Sequence, residues 1–115
     1  MKKSIVQEKA FYFALLSLGI SKLLRENKEW VFANQFLKSS TSIGANINEA
    51  LASYSRKEFA AKMSIASKEA RETLYWIELM DQGKLMKYDF TLVKEKASEL
   101  VKMLTSIVKT TQTKN

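Results

Sequence analysis

Apolar residues return every three or four positions along almost the whole chain, the period of an α-helix rather than a strand. In the first stretch Val6, Phe13, Ile20 and Leu24 share a side, predicting a helix over about 5–26. Ser4, with Gln7 three residues on, forms a capping box that starts it. Tyr12, Leu15, Leu16, Leu18 and Leu23 spread further apolar surface around this helix. One stripe is enough inside a small monomeric bundle. The surplus implies either packing against two neighbours or an interface with another subunit.

Asn27-Lys28-Glu29 forms a short turn, so a second helix over about 30–53 lies antiparallel to the first. Its apolar face is Phe32, Phe36, Ile43, Ile47 and Tyr54. Beside that face Gln35, Ser39, Ser42, Asn46 and Glu49 recur at spacings of four, three, four and three, a continuous polar seam. Ser55 and Glu58 form a second capping box, opening a third helix over about 56–82 that Gly83 stops. Phe59, Met63, Ala66, Ala70, Thr73, Ile77 and Met80 repeat in heptads as its core face. Next to them Ile65, Glu69, Glu72, Trp76 and Leu79 make a mixed stripe. Asp89 caps a fourth helix over about 89–110, whose core face is Val93, Ala97, Leu100, Leu104 and Ile107. Long amphipathic helices with short connections predict an all-α protein. It is a single domain over 1–115, an up-down-up-down antiparallel four-helix bundle.

Composition agrees with this and narrows the chemistry. The chain has 115 residues, no proline and three glycines, so little interrupts its helices. It also has no cysteine and no histidine. Disulfides, thiolate chemistry, the commonest metal ligand and the commonest general base are thereby removed. No catalytic set is visible: Ser39, Ser42, Ser53, Ser55 and Ser64 have no histidine to activate them, and no glycine-rich phosphate loop occurs. The expectation is a non-enzymatic protein without a cofactor.

Glu69 and Glu72 have the spacing of one half of a carboxylate di-metal site, with Glu49 a third oxygen ligand, but the histidines of such sites are missing. Their expected role is structural, in a polar network with donors from Lys38, Asn46, Gln35, Lys62 or Arg71 that sets helix register.

Met1-Lys2-Lys3 resembles the start of a signal peptide, but Gln7, Glu8 and Lys9 break the apolar run that would follow. The stretch from Phe11 to Leu24 is too short and too polar to span a bilayer. A cytoplasmic protein with no membrane association is expected, with a disordered tail over Lys109–Asn115.

The net charge of +7 points outward, toward nucleic acid or another acidic surface. The candidate contacts are Arg56 and Lys57, Lys84 and Lys87, and the acid-free C-terminal run with Lys102, Lys109 and Lys114. Because the second and third helices are antiparallel, Arg56-Lys57 and Lys84/Lys87 belong at opposite ends of the bundle. The competing reading is a lysine-solubilised module that binds only protein.

From Lys38-Ser39-Ser40-Thr41-Ser42-Ile43-Gly44-Ala45-Asn46-Ile47-Asn48-Glu49-Ala50 onward the chain stops looking generic. With Ser55-Arg56-Lys57-Glu58-Phe59, Lys62, Lys68-Glu69-Ala70-Arg71-Glu72-Thr73 and Trp76, this stretch resembles a known family. That family is the small four-helix-bundle proteins related to those encoded in 23S ribosomal RNA intervening sequences. Position 40, usually glycine there, is Ser40 here. The resemblance implies a bundle that assembles into rings, commonly pentamers. Accessory variability proteins of diversity-generating retroelements are similar in fold and present a basic pentameric barrel to nucleic acid and a reverse transcriptase. The implied partners are therefore further copies of the chain, RNA or DNA, or another protein. The matching positions Ser39, Ser42, Asn46, Glu49, Glu69, Glu72 and Trp76 are expected to serve packing and assembly.

Overall fold

A computed structural model describes residues 4–113. Met1-Lys2-Lys3 and, from the expected tail, Lys114 and Asn115 lie outside the described residues. Four helices follow one another: α1 (Ile5–Glu26), α2 (Trp30–Leu51), α3 (Arg56–Gln82) and α4 (Thr91–Thr113). They run up, down, up and down into an antiparallel bundle measuring 45 × 23 × 23 Å. Each helix packs on its neighbours in sequence; the α1–α4 edge that closes the square is by far the loosest.

The caps are local. The Ser4 hydroxyl accepts the Gln7 N–H at 3.2 Å and the Ser55 hydroxyl accepts the Glu58 N–H at 3.1 Å, one orphan donor satisfied at each start. Helix α2 stops at Leu51, short of 53, because the Ala52 N–H turns back to the Asn48 and Glu49 carbonyls and the Ser53 hydroxyl takes the Ala50 carbonyl. Tyr54 consequently leaves the apolar face assigned to it and stands fully in solvent. Helix α4 begins at Thr91 rather than 89, since Asp89 folds its carboxylate onto the Thr91 N–H at 3.0 Å from outside the helix. Hydrogen bonding from Thr91 holds the Asp89 carboxyl below its ordinary range. At its other end α4 continues to Thr113 instead of fraying from Lys109, because Ile107 and Val108 still pack on the core.

The core is a column of one stripe per helix: Phe13, Ile20 and Leu24; Phe36, Ile43 and Ile47; Met63, Ile77 and Met80; Val93, Leu100 and Leu104. Small residues set the spacing. Gly44 faces Ala10, where a methyl group would meet the Ala10 Cβ at 3.7 Å, so α1 and α2 run close together. Ser40, the departure from the family pattern, is wholly buried and bonds the Leu37 carbonyl of its own helix at 3.2 Å.

Helices α1 and α3 end alike. The Glu29 N–H reaches back to the Leu24 carbonyl and the Lys28 N–H to Arg25; the Leu85 N–H reaches Met80 and the Lys84 N–H reaches Asp81. Both closures need one residue at positive φ, and in both it is a lysine: Lys28 at 63° and Lys84 at 51°. Helix α3 ends at Gln82 with Gly83 as its cap, as the sequence predicts, but Gly83 keeps a φ of −76° and the left-handed residue is the following Lys84. Lys28→Gly and Lys84→Gly should each raise stability by about 1 kcal/mol, because glycine enters this region without a Cβ clash. A denaturant midpoint that falls with either change would refute this account of the turns.

Candidate nucleic-acid interface

Helical phase decides which lysines meet. On α3, Lys57, Ser64, Lys68 and Arg71 fall on one side, the side turned toward α4. On α4, Lys102, Thr105, Lys109 and Gln112 follow at spacings of three, four and three. The antiparallel pair brings the two lines together in a groove of about 430 Å³ lined by Ser64, Ser67, Lys68, Arg71, Thr105 and Lys109, among others. Arg71 donates to the Thr105 hydroxyl at 2.8 Å, which holds the guanidinium across the groove. Among the described residues no carboxylate lines it. Glu69, although next in sequence to Lys68, leans to the α2 side, and α4 carries no acid beyond Glu99.

Arg56 sits just beyond the groove, where the α2–α3 turn meets the last turns of α4, beside Phe59, Ser106 and Ile107. Of the sequence-derived candidates, Arg56, Lys57, Lys102 and Lys109 therefore occupy one half of the α3–α4 face. Lys84 and Lys87 lie at the far end, in the α3–α4 connection. There Asp81 and Glu78 surround Lys94, whose ammonium is 2.8 Å from Asp81 and 3.8 Å from Glu78, so that end is close to electrically balanced. The Asp81 hydrogen bond pushes the Lys94 ammonium above its ordinary range. Lys68 and Arg71 were missed as nucleic-acid candidates. The signal that would have found them is their phase, seven-four-three with Lys57 and Ser64.

The α2–α3 seam turns out more exposed and less connected than its spacing implied. Ser39 is buried and its hydroxyl lies 2.9 Å from that of Thr73; each also meets a carbonyl of its own helix, Phe36 at 3.2 Å and Glu69 at 2.7 Å. Thr73, assigned only to the core face, is thus part of the polar seam. Beyond this pair the network dissolves. The Ser42 hydroxyl bonds the Lys38 carbonyl, the Asn46 amide bonds the Ser42 carbonyl, and Gln35 is in solvent. Lys62 goes to Glu49 at 2.9 Å, an interaction that raises the Lys62 pKa. With Arg71 taken by Thr105, Glu69 and Glu72 have no side-chain partner among the described residues, and the expected network around them does not form there. Among the described residues no three acidic, histidine or cysteine side chains gather as a metal group would require. Trp76 packs edge-on against Phe32, ring centres 5.9 Å apart, and its buried indole N–H has no acceptor.

The surplus apolar surface of α1 stays uncovered: Phe11, Tyr12, Leu15 and Leu18 are all about half exposed or more. No helix among the described residues is long and apolar enough to cross a membrane.

A family model described as 23S rRNA-intervening sequence protein matches residues 2–106. A crystal structure from Bacteroides thetaiotaomicron, of a protein with unknown function from the S23 ribosomal protein family, superimposes with a TM-score of 0.86. The two are 40% identical, over 91% of this chain and 99% of that one. None of the curated proteins matches. Neither match carries an enzymatic description.

Proposed function

The chain belongs to the family of 23S rRNA-intervening sequence proteins, and from that premise we propose that it is a non-enzymatic cytoplasmic scaffold which assembles with copies of itself, five as the resemblance implies, and binds nucleic acid. The observation that carries the reading is the acid-free α3–α4 groove lined by Lys68, Arg71 and Lys109, with Lys57 and Lys102 continuing the same helix faces by their spacing. Phosphates are its natural occupant: the guanidinium is held in place, hydroxyls alternate with ammonium groups, and nothing repels an anion. Base edges find few groups to read them, so binding is expected to depend little on sequence. Assembly would multiply the groove, turning a weak local contact into an avid one.

Salt tests the reading. If four phosphates are neutralised, log K for an RNA or DNA duplex should fall with log salt at a slope of about −3.6. No binding to either duplex even at low salt would instead favour a protein-interaction module, the reading to which the bare apolar surface of α1 lends support.

A further inference from the structure

We propose that copies of this chain join by opposite faces, the outer stripe of α3 in one copy seating in the open groove between α1 and α4 of the next. The proposal rests on the self-association reading above and adds to it which two surfaces meet.

Both surfaces are unfinished in the single chain. Helices α1 and α4 part enough to leave a cleft of about 370 Å³, lined by Tyr12, Leu16, Leu92 and Lys96. Along α1 this side continues through Ile5, Lys9, Tyr12, Leu16, Gly19 and Leu23, at spacings of four, three, four, three and four. Tyr12 is 68% exposed, Leu92 54%, and a methyl group added at Gly19 would meet nothing within 4 Å. Across the bundle, on the α2–α3 side, Ile65, Glu69, Glu72, Trp76 and Leu79 repeat the same four-three-four-three spacing. A stripe of that period fits the seam of a facing helix pair.

Charge says what the occupant is. The α3 stripe holds two carboxylates, Glu69 and Glu72, that no cation among the described residues meets. The cleft holds two ammonium groups and one carboxylate: Lys9 and Glu99, 3.1 Å apart and already paired, and Lys96, exposed and without a partner among the described residues. Stripe against stripe would crowd four carboxylates together; stripe in cleft pairs them with ammonium groups instead. Because the two faces lie on opposite sides of the bundle, their union is head-to-tail and propagates from copy to copy, closing as a ring where the rotation per copy divides a full turn.

Solution mass by light scattering, with helicity by circular dichroism as the folding control, tests this. Glu69→Lys with Glu72→Lys should weaken association at least tenfold at unchanged helicity, and adding Lys96→Glu should restore it. Mixing the double variant with a Lys96→Glu single variant should likewise regain mass. An assembled wild type whose mass survives Glu69→Lys/Glu72→Lys would overturn the stripe while leaving self-association standing. Loss of mass without rescue by Lys96→Glu would overturn the pairing of the faces. A wild type that is a single copy at all concentrations would remove self-association itself.

Discussion

Replacing Phe36 by alanine should cost about 3–5 kcal/mol, the scale for emptying a fully buried aromatic site. Phe36 lies on α2 within the buried column, wholly excluded from water like Ile43, Met80 and the other fully buried side chains. The helices around it are held by their own backbone ladders and can close on the cavity only in part. A domain of this size has about 0.05–0.15 kcal/mol of stability per residue, so the loss is a large share of the whole. Phe11→Ala makes the contrast. Phe11 is 62% exposed, and its removal from an isolated chain should change stability by no more than about 0.5 kcal/mol. Denaturant midpoints for the two variants decide the matter. Equal effects would mean that the column does not run where the structure puts it.

The second large effect concerns the groove. Arg71→Glu with Lys109→Glu should weaken nucleic-acid binding by about tenfold to a hundredfold at low salt, and flatten the salt dependence. Two cations become two anions facing each other across the same channel, so repulsion adds to the lost contacts. Both residues are exposed, and among the described residues the only side-chain bond lost is Arg71 to Thr105. Helicity should therefore persist. The matched control is Lys84→Glu with Lys87→Glu at the far end, an equal change in net charge. If attraction were a property of total charge alone, the two doubles would fall together. If the far end were the site, the control would fall further. A groove-specific loss, measured by fluorescence anisotropy on one duplex, separates these outcomes.

Trp76 shows where sequence reading stops. Its place in a stripe with Glu69 and Glu72 was legible, because helical phase follows from position alone. Its partners were not: the Phe32 ring lies on another helix, and whether an acceptor meets the indole N–H depends on a packing angle that no local pattern contains. The carboxylates are a second instance. Lys62 and Arg71 were both plausible donors to them, yet Lys62 sits closer to Glu49 across α2–α3 and Arg71 turns the other way, to Thr105 on α4. Lys102 and Lys109 are a third. They were visible as an acid-free run, but that Lys109 shares a groove with Lys68 and Arg71 follows only from how α4 rolls against α3.

By itself the sequence determined the four helices, their order and direction, the serine caps of α1 and α3, and most of the core stripe on each. All of these are governed by the 3.6-residue period and by hydrogen bonds spanning three or four residues, interactions that local sequence contains. The tertiary structure alone decided which lysines converge, which carboxylates stay unpaired, and that two turns close on lysines at positive φ. It also decided that α1 and α4 leave a cleft between them. Those outcomes depend on the roll and separation of helices distant in the chain. These follow from side-chain volumes summed over the whole core, and no stretch of sequence shorter than the bundle specifies them.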